Sequence, residues 1–117
     1  IALGLIGDEE SIPLLRELLE DEEPNIQWDA AIGLAKMGDS TGAFIIESLM
    51  DRHYLSAFPQ VDESEKNQAI LIAIEVASFL KNDRLENKLI TLAESDENLK
   101  IRDAAMKTLE SVYNRVL

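Results

Sequence analysis

The stretch SIPLLRELLEDEEPNIQWDAAIGLAKMGD, residues 11–39, decides the fold. Ile12, Leu15, Leu18 and Leu19 recur at three- and four-residue steps, and so do Ile26, Ala30, Leu34 and Met37. That is the period of an amphipathic helix, not of a strand. Pro13 and Pro24 suit the first turn of a helix, where a missing N–H costs little. Gly38 can take the left-handed conformation that ends a helix, and Asp39 offers a polar start to the next one. The acidic run Glu20-Asp21-Glu22-Glu23 precedes Pro24, where negative charge favours the helix dipole. The segment therefore predicts two helices joined by a short acidic turn.

Working outward, the same unit recurs. A shift of 31 positions lays Ile1, Leu3, Gly7 and Asp8 on Ile32, Leu34, Gly38 and Asp39. In that register Ser11, Leu14, Leu15, Leu18 and Leu19 fall on Gly42, Ile45, Ile46, Leu49 and Met50. Near the end LKIRDAAMKTLESVYN (99–114) overlays NIQWDAAIGLAKMGD (25–39), matching Ile101, Ala105, Leu109 and Val112 to Ile26, Ala30, Leu34 and Met37. Recurrence of this kind marks a repeat whose helix pairs bury their apolar stripes by stacking on neighbours. The predicted elements are a helix remnant at 1–6 and helices near 11–20, 24–37, 41–56, 65–81, 84–94 and 98–115. These group into one domain of repeat units at 1–10 (partial), 11–40, 41–82 and 83–117. Tyr54 to Glu65, around Phe58-Pro59, adds about a dozen residues to the period and reads as an inserted loop or helix extension.

The pattern I-x-x-x-A-A-x-x-L-x-x-M-G-D at Ile26 to Asp39, preceded by S-I-P-L-L-x-x-L-L at Ser11 to Leu19, resembles HEAT-like repeats. The similarity is to the short-repeat class typified by phycobilisome lyase subunits. It is strong over 1–50, weaker over 66–114 and absent across the insertion. Lys81-Asn82-Asp83 stands where Gly-Asp is expected, and Tyr113-Asn114 ends the last helix. The resemblance implies an all-α, right-handed α-α superhelix of about three helix pairs, with a convex and a concave layer. It carries an enzymatic alternative by analogy, a subunit or domain of a bilin lyase attaching or detaching a tetrapyrrole.

Composition narrows the function. The 117 residues are 46% hydrophobic and 29% charged, a globular balance. With no cysteine there is no disulfide, thiolate metal site or cysteine nucleophile. Eleven lysines and arginines stand against 23 acids, a net charge of −12 that repels nucleic acid and anionic membranes. Neither an apolar span nor a signal peptide is expected. The start at Ile1 suggests an excised fragment of a longer repeat protein, and the lack of cysteine and targeting signals suggests a cytoplasmic one.

Chemistry is sparse. His53, the only histidine, is expected on the second unit's outer helix in register with Ile45, Ile46, Leu49 and Met50, as a structural residue at the core edge. One histidine cannot make a two-histidine metal site. The carboxylate clusters Asp8-Glu9-Glu10, Glu20 to Glu23, Asp62-Glu63-Glu65 and Glu94-Asp96-Glu97 read as solvated turns, and none forms a calcium loop. Neither a phosphate-binding glycine loop nor G-x-S-x-G occurs. No catalytic residue, metal or cofactor is expected, and the chain reads as a non-enzyme.

The candidate partner surface lies on the second helix of each pair. With Ala30 directed to the core, Trp28 and Ile32 lie about 200° away around the axis and point outward, with Asp29 and Lys36 beside them. Leu71 and Glu75 are outward on the helix containing QAILIAIEVASFL, whose register is ambiguous by one residue, and Asp103 and Lys107 are outward on the last helix. An outward tryptophan beside isoleucine is typical of a binding hot spot. Equally, Phe58 or Val61 of the insertion could cover Trp28, Ile32 and Leu71 and complete the local core. A protein partner on the concave face is the leading reading. Self-association through the N-terminal end and a passive spacer role are the others.

Overall fold

The computed structural model describes residues 9–115, so the readings for the helix remnant at 1–6, for Gly7-Asp8 and for N-terminal self-association lie outside the described residues. Among the described residues there are seven α-helices and no strand: α1 (Ile12–Leu18), α2 (Pro24–Lys36), α3 (Ala43–Leu49), α4 (Arg52–Leu55), α5 (Glu63–Ala77), α6 (Asp83–Ser95) and α7 (Leu99–Ser111). Short 3-10 turns, Glu9–Ser11 and Ser40–Gly42, lead into α1 and α3. Helices α2, α5 and α7 pack side by side as one layer, α3 packs on α6 in the other, and α1, α3 and α6 lie against the first layer. The result is an α-α solenoid.

Between the layers lies one continuous core. Leu15, Leu34, Ile46, Leu55, Ile70, Leu85, Leu89, Ile101 and Leu109 are completely buried. Small residues let the backbones approach where the layers meet: Ala30, Ala31 and Ala35 of α2 are buried, and Gly42 lies so close to α2 that a Cβ there would meet Ala31 Cα and Cβ at 3.1 Å. Overpacking of this kind is destabilising when backbone is the obstacle.

The first and last pairs are built alike down to their turns. Pro24–Lys36 and Leu99–Ser111 begin and end at equivalent positions of the repeat. In each turn an aspartate closes the chain on itself: Asp21 accepts from the Glu23 N–H at 2.9 Å, and Asp96 from the Asn98 N–H at 3.0 Å. A side chain one turn into the following helix, Gln27 or Arg102, donates back to the carbonyl oxygen of that same aspartate.

Helix ends follow the sequence signals. Gly38 sits at φ +77°, its N–H donating to Ala35 and the Asp39 N–H to Leu34, both at 2.9 Å. This is the doubled C-terminal closure that favours glycine. Asp39, Asp51, Asp62, Asn82 and Asn98 each cap a following element, and Asp62 with Glu65 forms a reciprocal capping box. Many of the polar turn residues are thus helix caps.

One expectation is corrected, and one departure from the repeat gains a backbone consequence. The helix expected over 41–56 is two helices, because Asp51 leaves helical geometry (φ −112°, ψ 111°) and its carboxylate accepts from the His53 and Tyr54 N–H groups at 2.8 and 3.4 Å. His53 therefore lies in a new short helix out of register with Ile45, Ile46, Leu49 and Met50, and it is exposed, not at the core edge. The expected Gly-Asp at the end of the second pair is replaced by Lys81, which itself adopts φ +47°. An L-residue in this region carries a cost of roughly 1–2 kcal/mol that glycine avoids. Lys81→Gly is accordingly expected to stabilise the chain by about 0.5–1 kcal/mol, read as a raised midpoint in urea unfolding.

Candidate functional site

Three cavities bear on function, and their chemistry separates them. One of about 300 Å³, walled by Asp51, Arg52, Lys88, Thr91, Asp96 and Glu97, lies between the α3–α4 region and α6. Its charges are already paired within the chain: Lys88 with Asp51 at 3.3 Å, and Arg52 with Asp96 at 2.9 Å and Glu97 at 3.4 Å. A neighbouring one is bounded by Glu47 and Arg84, which also pair, at 2.9 Å. These grooves are knit together by internal ion pairs and leave little for a ligand to complete.

The groove between α2 and α5 is different. It holds about 270 Å³ and is lined by Asn25, Trp28, Asp29 and Ile32 of α2, and by Glu65, Gln68, Ala69 and Ile72 of α5. Val61 of the connecting loop closes one side, with Leu49 and Leu55 beneath. The walls are largely apolar, with Asn25, Asp29, Glu65 and Gln68 as the polar groups among them.

Trp28 is held firmly in it. The indole N–H donates to the Tyr54 hydroxyl at 3.0 Å, and its ring meets Tyr54 and Phe58 edge-on, with centroids 6.4 and 5.1 Å away. Tyr54 and Phe58 complete the triangle at 5.2 Å. Such edge-to-face contacts contribute beyond area burial alone. The rings pack against one another and do not enclose a cage. Phe58 of the 56–62 loop thus packs on Trp28, in line with the alternative in which the insertion covers it, and Trp28, Ile32 and Leu71 are half-buried against the core while Trp28 and Ile32 still line the groove.

The structure brings Trp28, Asp29 and Ile32 together in this groove. It places Leu71 outside the lining, packed on the core, and seats Ile72 in the groove instead. Lys36 and Glu75 are exposed on α2 and α5. Asp103 and Lys107 are exposed on α7 and pair with each other at 2.9 Å. Among the lining residues that reading the sequence missed are Asn25 on α2 and Glu65, Gln68, Ala69 and Ile72 on α5; a 65-68-72 spacing on α5 was the available signal, masked by the unbroken apolar run at 69–74.

The fold and this groove define a helical repeat protein. A family model for HEAT repeats matches residues 1–54, just under half of the chain, and that stretch carries HEAT-like repeats. The stacked pairs beyond that match continue the same layered arrangement. No curated protein and no solved structure gives a significant match. HEAT repeats generally mediate protein–protein contacts and are typically non-enzymatic. Among the described residues no helix is long and apolar enough to cross a membrane, and no cluster of metal-ligating side chains occurs.

Proposed function

We propose that this chain is a non-enzymatic scaffold that binds another protein along the α2–α5–α7 layer. The α2–α5 groove is the centre of the contact, with Trp28, Asp29 and Ile32 as its anchors. Lys36, Leu71, Glu75, Asp103 and Lys107 extend the surface to either side. The observation that carries this reading is a buttressed tryptophan lining an open apolar groove: its orientation is fixed before binding, so little entropy is lost on contact. The bilin-lyase alternative gains no support from the groove, which has no cation among its described lining residues to meet a tetrapyrrole's propionates.

The test is a selection of random peptides on the whole chain, followed by titration of the enriched peptides against the emission of Trp28, the only tryptophan. Enriched peptides are expected to shift that emission. They should lose about tenfold or more in affinity for Ile32→Ala and for Gln68→Arg, a rim substitution at an exposed position whose fold is checked by circular dichroism. Undiminished binding to both variants, or a selection that enriches nothing, defeats the proposal.

A further inference from the structure

The groove has a charge it does not satisfy. Asp29 is half-buried beside Trp28 and Ile32, and it has neither an ion pair nor a hydrogen-bond partner among the described residues. Across from it, Glu65 is engaged by a single hydrogen bond, accepting from the Asp62 N–H of its own helix cap at 3.1 Å. A carboxylate beside apolar walls that has no partner within the chain is open to a cation delivered to it. Two cations near the start of α5 are engaged with another acid: Arg52 and Lys66 both pair with Glu63, at 3.2 and 3.7 Å.

Resting on the scaffold reading above, we propose that the groove recognises a polypeptide segment presenting a lysine or arginine beside an aliphatic side chain. The cationic head meets Asp29 and Glu65. Its methylene stem lies along Trp28 and Ile72, which long cationic side chains cover well. The neighbouring aliphatic group fills the space against Ile32. The net charge of −12 steers such a segment toward the surface, and the groove sets where it docks.

Three synthetic peptides of one length test this on the whole chain, built from leucine with lysine, with serine or with glutamate. The leucine–lysine peptide is expected to bind with a shift in Trp28 emission and to weaken as salt is added. Asp29→Asn and Glu65→Gln, the latter keeping the cap acceptor, should each weaken it roughly fivefold to tenfold. Glu94→Gln, an exposed acid on α6, should leave it unchanged. Equal binding of the leucine–serine peptide overturns the cation assignment and leaves the groove as a binding site. Equal loss in Glu94→Gln overturns it too, because the attraction is then that of the whole charge. If no peptide moves Trp28, the scaffold reading fails with it.

Discussion

Arg52→Ala is expected to lower stability by about 2–4 kcal/mol, measured by urea unfolding followed by circular dichroism. Arg52 rises from the first turn of α4 and donates to Asp96 with Nε at 2.9 Å and with a second guanidinium nitrogen at 3.0 Å. It also reaches Asn67 of α5 at 2.8 Å and Glu63 at 3.2 Å. Removing it leaves the Asp96 carboxylate, whose side chain is only 4% exposed, without its counter-ion. The arginine itself is 21% exposed, so the loss falls below that of a fully buried pair. Burial alone would raise the Asp96 carboxyl, yet the Arg52 hydrogen bonds and the Asn98 N–H outweigh it and hold the group below its ordinary 3.8. A depressed carboxyl stabilises the fold above its unfolded pKa, and that stability is lost as pH falls through the folded value. The same holds for Asp39, where burial is outweighed by Thr41 and Arg16, and for Asp51, where it is outweighed by the His53 N–H and Lys88. Without Arg52, Asp96 loses its largest lowering influence, so the cost of Arg52→Ala should be full above the carboxyl's unfolded pKa and shrink as falling pH protonates Asp96.

Leu34→Ala is expected to cost about 2–5 kcal/mol. Leu34 is wholly buried in the first layer, among the other buried side chains of the core. The residue is also one of the repeat's matching positions, with Leu109 its counterpart and equally buried. A cost near the upper end means that the surrounding helices hold their places, and a cost near the lower end means that α2 moves inward. The same urea titration reads both, with the slope checking that the two chains expose the same surface.

Much of the architecture was legible because the repeat is written in apolar spacing and in its punctuation. Pro13, Pro24 and Gly38 each do locally what their chemistry predicts, so helix starts and stops near them are within a residue or two. The break at Asp51 was not legible, since the apolar steps through Leu49 and Met50 continue a helix and only the capping geometry reveals the stop. At Lys81 only the alignment with Gly-Asp pointed to left-handed backbone, since lysine itself has no preference for it. In the site, Trp28 and Ile32 were readable from their angle to Ala30. On α5 the run Ala69 to Ile74 is apolar on every side, so spacing alone could not say that Ile72 and not Leu71 looks into the groove. The ion pair of Arg52 with Asp96 joins residues 44 apart in the chain, a distance over which pattern carries no information.

That ion pair bears on how the molecule comes apart. Stacked helix pairs held by nearest-neighbour contacts alone can fray singly from an end. Here one guanidinium fastens the middle pair to the turn that joins α6 to α7, so peeling away the last pair strips the middle one of its clasp. The two are therefore expected to share a common threshold, the array opening as a single leaf with no seam between them.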